Sequence, residues 1–210
     1  MTDESARRNA VRAAWDAVAE DYAAARRPDG PDARLLDDLA ADLPEGAHVL
    51  DVGCGDGRRT LATLRAADSS LALVGLDFSR VQLDLAREAV PSAHLVQADM
   101  TDLPFAAASF DAVTAYHSVF HVPRTEHSRV YAEFARVLRP GGSLLTTVGT
   151  GRSESVQRNW LGSGHAMFWS TPGSDVTNAQ LSEAGFEIEW ERRVDDPLGS
   201  TALFVFARSR

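Results

Sequence analysis

The 210-residue chain has a single cysteine, Cys54, which rules out an internal disulfide and a cysteine-based zinc site. It has no run near the roughly 18 consecutive apolar residues that a membrane-spanning helix requires. Its opening residues, MTDESARRNA, place no apolar segment behind their charges, so no secretory signal is expected there. Basic residues are in deficit: 21 Lys and Arg against 30 Asp and Glu give a formal net charge of -9. A nucleic-acid partner generally demands a basic footprint that replaces phosphate counterions, and this balance points away from one. The local cluster Arg7-Arg8-Arg12 reads as a solvated helix face. Hydrophobic residues at 44% and charged residues at 24% supply a globular core and a charged surface. The expectation is a protein of the reducing cytoplasm, a monomer or homodimer, with no membrane and no nucleic-acid partner.

What the chain does have is an alternation of helix and strand signals. Between about Glu4 and Ala25, Val11, Trp15, Val18 and Tyr22 recur every three or four residues, which puts one apolar stripe on a helix. That helix either packs on the sheet or, through Trp15 and Tyr22, forms part of a lid. RRPDGP (26–31) breaks it, and residues 32–43 form a second helix burying Leu35, Leu36, Leu39 and Leu43. Val49 to Val52 is the first strand. Helix 59–67, strand 71–79, helix 81–90, strand 93–100 and a strand from Phe110 then follow as parallel, right-handed crossovers. Helix 124–138 leads to strand 143–149.

Residues 150–175 have no period and read as one long irregular stretch. Trp160, Met167, Phe168 and Trp169 within it favour a functional loop over disorder. Helix 176–184 precedes strand 185–194, in which Phe186, Ile188 and Trp190 alternate onto one face. The turn DDPLGS is too short for a crossover, so residues 201–209 form an antiparallel neighbour. The sum is an α/β fold in one domain, 1–210, with seven strands in one sheet and helices on both faces.

The chemistry centres on HVLDVGCGDG, from His48 to Gly57. A buried strand that empties into Gly53, Gly55 and Gly57 and restarts as a helix makes a shelf for a nucleoside-bearing cofactor. The dinucleotide fingerprint Gly-x-Gly-x-x-Gly needs a last glycine where this chain has Arg58, and it leaves a diphosphate to meet Asp56. A carboxylate there tolerates a zwitterion bearing an ammonium and a sulfonium. Asp77, 24 residues beyond Gly53, stands where it can accept both ribose hydroxyls. Asp99, at the end of the third strand, can accept from an adenine amine, with Met100 over the ring.

Taken together, WDAVAEDY, VLDVGCGDG, GLDFS, QADMTDLPF, FDAVTAYHSVFHV, RVLRPGG and AGFEI resemble the class I S-adenosylmethionine-dependent methyltransferases over nearly the whole chain. The resemblance implies a Rossmann-like sheet of order 3-2-1-4-5-7-6 with strand 7 antiparallel. It implies S-adenosyl-L-methionine as cofactor, with Gly53, Cys54, Gly55 and Gly57 along its methionyl part and Asp51 at its amino end. It also implies Asp77 on the ribose, Phe78, Asp99 and Met100 about adenine, and Tyr22 closing over the cofactor; Tyr116 is a further candidate for cofactor binding.

Methyl transfer is in-line displacement, so the protein aligns the partners and, for a hydroxyl acceptor, removes a proton. After the fourth strand, His117 and His121 are candidates for that base, with hydrogen bonding or packing as the alternative role. Their i,i+4 spacing makes a poor metal site without a third ligand, and no metal is expected. Trp15, Trp160, His165, Phe168 and Trp169 would enclose a small, partly apolar acceptor, with residues 1–43 as lid and 150–175 as substrate cap. The rival readings are an NAD-type oxidoreductase and a non-catalytic scaffold that keeps the cofactor pocket.

Overall fold

The computed structural model describes residues 3–25, 30–195 and 201–210. The helix break at 26–29 and the final turn at 196–200 lie outside the described residues. Five strands run parallel: β1 (His48–Val52), β2 (Ala72–Asp77), β3 (His94–Gln97), β4 (Phe110–Ala115) and β5 (Leu138–Val148). Two further strands, β6 (Arg152–Gln157) and β7 (Met167–Pro172), form a separate hairpin, and β8 (Phe186–Asp195) and β9 (Thr201–Ser209) close the main sheet. Its order is β3-β2-β1-β4-β5-β9-β8, with β9 antiparallel to both neighbours. This is the order expected from the resemblance. No helix among the described residues is long and apolar enough to cross a membrane.

Among the described residues, six α-helices flank these strands: α1 (Asp3–Ala25), α2 (Ala33–Asp42), α3 (Leu61–Ala67), α4 (Arg80–Ala89), α5 (His127–Val137) and α6 (Ser174–Glu183). Strand alternation builds a core on each face. On β9, Leu203, Val205 and Ala207 join Phe134 of α5 and Leu181 of α6, whereas Phe204 and Phe206 join Leu36, Leu64 and Leu83 from α2, α3 and α4. Helix α4 starts at Ser79, whose hydroxyl accepts the Gln82 N–H at 3.2 Å and donates to Asp16 of α1 at 2.6 Å. One cap thus serves two helices.

Three expectations fail, each for a physical reason. Phe186, Ile188 and Trp190 do not share a face, because a register shift between Ile188 and Trp190 leaves Glu189 as an extra residue. The bulge inverts the alternation, so Phe186 and Ile188 pack on one core while Trp190 packs on the other and stacks on Phe206 at 5.3 Å. Residues 150–175 are not irregular: β6 and β7 pair from Arg152↔Pro172 to Gln157↔Met167. Every residue of β6 is exposed, so its sequence carries none of the apolar alternation by which a half-buried strand is read.

Nor are Arg7 and Arg8 merely solvated. Arg7 pairs with Glu154 of β6 at 2.6 Å and lies over the Phe168 ring, while Arg8 pairs with Asp99 at 3.0 Å and with Glu126. These contacts bind α1 to the hairpin and to the outlet of β3. Arg12 alone of the three is exposed.

Phe204 is fully buried and its ring packs against Tyr116 at 4.8 Å and His117 at 6.1 Å, making it the floor beneath the end of β4. Truncation there leaves a cavity that its neighbours only partly fill. Phe204→Ala is expected to lower the unfolding free energy by about 3–5 kcal/mol, as measured by urea denaturation.

Candidate active site

The carboxyl ends of the parallel strands open into one cavity of about 440 Å³, within the range of small-molecule sites. Two glycines of the loop after β1 have steric duties. Gly53 has φ +74°, and an added Cβ would come within 2.4 Å of the Ser118 Cβ. Gly57 has φ +71°, and its Cβ would meet Ala86 of α4 at 3.2 Å. Gly57 therefore permits helix packing and does not line the cavity, contrary to its expected place beside the cofactor. It takes the packing duty that the dinucleotide fingerprint gives to a glycine one residue later. Gly53, Cys54 and Gly55 do line the cavity.

Asp77 holds the outlet together. Its two carboxylate oxygens accept the N–H groups of Gly55 at 3.0 Å and Ser79 at 2.9 Å. Burial pushes its carboxyl up to about 6, with those N–H donors opposing the rise. Each oxygen keeps acceptor capacity beyond its backbone bond, and the residue lines the cavity. Asp99 accepts from the Thr101 N–H and hydroxyl at 2.9 and 2.8 Å and pairs with Arg8. Phe78 and Met100 stand in the same lining. Asp51 does not reach the cavity wall: it is 1% exposed on β1 and accepts the Thr114 hydroxyl at 2.8 Å. Burial, with the charge of Asp77 next, raises the Cys54 thiol and keeps it an inert wall atom.

At the end of β4 the chain turns sharply. His117 adopts φ +52°, a left-handed conformation that a non-glycine side chain resists. It is held by an N–H bond to the Thr147 hydroxyl at 2.7 Å. Tyr116 is buried, lines the cavity and donates its hydroxyl to the Asp32 carbonyl at 3.3 Å. His121 places Nδ1 3.0 Å from the Phe168 carbonyl. A carbonyl only accepts, so Nδ1 carries the proton and Nε2 keeps a lone pair. Burial lowers this imidazole to about 4, and the Phe168 bond opposes the drop.

Trp15, Tyr22, Trp160 and Trp169 come together with His121 on the cavity. Two expected wall residues do not. His165 is exposed in the hairpin loop, where its carbonyl accepts the Trp160 N–H at 2.8 Å. Phe168 is next to Trp169 on β7, so its ring points to the other face, under Arg7, and only its carbonyl reaches His121.

The structure also adds residues that the sequence did not single out. Arg59 of the β1–α3 link is 4% exposed, lines the cavity and donates to Asp32 with Nε at 3.0 Å. Ser118 donates its hydroxyl to the Val52 carbonyl at 2.8 Å and sits against Gly53. Phe120 joins the wall beside His121 at 4.9 Å. A doubled Arg58-Arg59 after the glycines was the one available signal, and only burial distinguishes Arg59 from the half-exposed Arg58.

Residues 49–142 match a methyltransferase domain family. Methyltransferase GfsG of Streptomyces halstedii is 42% identical over 49% of this chain and 38% of that protein. The 27-O-demethylrifamycin SV methyltransferase of Amycolatopsis mediterranei is 34% identical over 74% of this chain and 60% of that protein. The chain thus spans less than two thirds of the length of these curated relatives. A solved structure of 1,6-didemethyltoxoflavin-N1-methyltransferase from Burkholderia thailandensis, with 1,6-didemethyltoxoflavin and S-adenosylhomocysteine bound, shares the fold at TM-score 0.74 and 20% identity. That match covers 100% of this chain and 91% of the other. Residues 49–142 are thus similar to a methyltransferase domain family, and the chain shares the fold of solved S-adenosylmethionine-dependent methyltransferases.

The Arg59–Asp32 pair is buried on both sides, at 5% and 1% side-chain exposure. Removing one partner strands the other charge, at a cost of about 3–5 kcal/mol, whereas replacing both restores part of the loss. Arg59→Met and Asp32→Leu are each expected to destabilise by that amount, and the double variant by less than their sum, in a denaturation cycle. For His121, folding lowers the imidazole from 6.5 to about 4, so the unfolded chain binds more protons between those values. Its contribution to stability is complete above pH 6.5 and is lost as the pH falls toward 4. His121→Gln should flatten that limb of the melting-temperature profile.

Proposed function

We propose that this chain transfers the methyl group of S-adenosylmethionine to a small-molecule acceptor. The observation that carries the reading is a buried Asp77 carboxylate facing a cavity formed by a glycine loop on one side and an aromatic lid on the other. The cavity suits the cofactor's chemistry: acceptors for a ribose diol at Asp77, apolar cover at Phe78 and Met100, and a loop whose Gly55 has no side chain in the way. The relatives named for a rifamycin and for a toxoflavin precursor support a small acceptor.

When bound, S-adenosylmethionine supplies a methyl group on a sulfonium, already a good leaving group. Asp77 holds the ribose hydroxyls, and Asp99 and Met100 flank the base. Helix α1 acts as a lid and the β6–β7 hairpin as a substrate cap, with Trp15, Tyr22, Trp160 and Trp169 excluding water from the reacting centre; the expected lid does not extend to α2, which packs in the sheet core. His121 receives the acceptor's hydrogen bond on Nε2, and His117 shapes the floor beside it. Alignment of this kind is the main lever available to the protein, since the leaving group needs no activation.

Mixing the purified chain with S-adenosylmethionine and a panel of small acceptors should release S-adenosylhomocysteine; binding of NADH in place of S-adenosylhomocysteine would sink the reading. Asp77→Asn should weaken S-adenosylhomocysteine by more than about tenfold, or 1.4 kcal/mol, in calorimetry. Hydroxyl donors bind an ionised carboxylate more strongly than a protonated one, and burial pushes the Asp77 carboxyl up to about 6. Affinity should therefore fall as the pH drops from 7 to 5, and Asp77→Asn should lack that dependence.

A further inference from the structure

Resting on the transfer reading above, we propose that the acceptor is an uncharged, flat aromatic ring with an acidic hydroxyl, bound against the wall made by Trp15, Trp160, Trp169 and His121. These four rings close a circuit. Successive centroids lie 4.8 Å apart for Trp15–Trp160, 6.1 Å for Trp160–Trp169, 5.9 Å for Trp169–His121 and 5.5 Å for His121–Trp15. All four line the cavity. Because each ring touches the next, they form a continuous wall and not a cage with an open centre. A planar ring gains dispersion and quadrupole contacts on such a surface that a saturated skeleton of equal size does not.

Charge narrows the choice. The cavity's two guanidinium groups are committed, Arg8 to Asp99 and Glu126 and Arg59 to Asp32, which leaves a carboxylated or phosphorylated acceptor poorly matched. Of the lining carboxylates, Asp56 and Asp99 belong to the loops after β1 and β3 and Asp77 ends β2, and all three already accept backbone N–H groups. None belongs to the four-ring wall, so an ammonium there would have ring faces but no counter-ion, and it would stand beside the like charge of the cofactor's sulfonium.

The hydroxyl follows from His121. With Nδ1–H given to the Phe168 carbonyl, Nε2 is the ring's only acceptor. Surrounded by rings, the imidazole stays neutral and is a weak base, so the acceptor's own acidity must carry the deprotonation. As the oxygen lone pair forms the C–O bond, the C–S bond breaks and its electron pair stays on sulfur. The hydroxyl proton passes to Nε2 and from there to water, which restores the neutral imidazole. The products are the methyl ether, S-adenosylhomocysteine and one proton.

The test is calorimetry on the intact chain, first with S-adenosylhomocysteine and then, saturated with it, with four probes of one skeleton: 2-naphthol, decahydro-2-naphthol, 2-naphthoate and 2-naphthylmethylammonium. The expected result is 2-naphthol binding at least tenfold tighter than each of the others. Trp169→Leu should reduce that preference to less than threefold. A saturated or charged probe within threefold of 2-naphthol would overturn the proposal, as would the failure of 2-naphthol to bind a protein that binds S-adenosylhomocysteine; both leave the transfer reading standing. Failure to bind S-adenosylhomocysteine itself would remove the transfer reading and this inference with it.

Discussion

A short relay of hydrogen bonds from the glycine loop to the N-terminal helix organises this molecule. The Gly55 N–H reaches Asp77, the other oxygen of Asp77 takes the Ser79 N–H, and the Ser79 hydroxyl reaches Asp16 of α1. The buried carboxylate is costly to place unless such donors meet it. Once they do, the outlets of β1 and β2, the start of α4 and helix α1 share one geometry. A shift at any of them disturbs the ribose-binding position that Asp77 is proposed to provide.

The contact between α1 and the β6–β7 hairpin, proposed above as lid and cap, is assembled by both charge and apolar surface. Arg7 and Arg124 converge on Glu154 of the hairpin, and Arg8 joins Asp99 to Glu126. These pairs are partly exposed and individually weak, so they set register more than stability. The apolar cluster of Val11, Ala14, Val18, Trp160 and Met167 contributes most of the attraction between α1 and the hairpin. This cluster is separate from the two sheet cores.

Much of the candidate site was legible because its residues obey local rules. Glycines at close spacing after an apolar strand, and acidic residues at strand ends, mark a ligand shelf whatever the distant chain does. Asp77, Asp99, Met100, Trp15 and Trp160 accordingly line the cavity. His165 and Phe168 were misplaced because the hairpin is hidden in the sequence: β6 is exposed throughout and leaves no period to read. Arg59 and Ser118 were missed since an arginine after glycines and a serine after a strand look like ordinary surface residues until burial is known.

The amino-acid sequence by itself determined the class of fold and the kind of ligand shelf, since these rest on periodicity and on glycine spacing within a few residues; the strand order was implied by the family resemblance of its motifs and not by either pattern. Tertiary structure alone decided which face Trp190 occupies, which glycine packs against a helix, and which rings meet over the cavity. Those outcomes depend on a bulge, on the distance from Gly57 to Ala86, and on the pairing of β6 with β7. Each is a contact between residues far apart in the chain, and no local pattern encodes it.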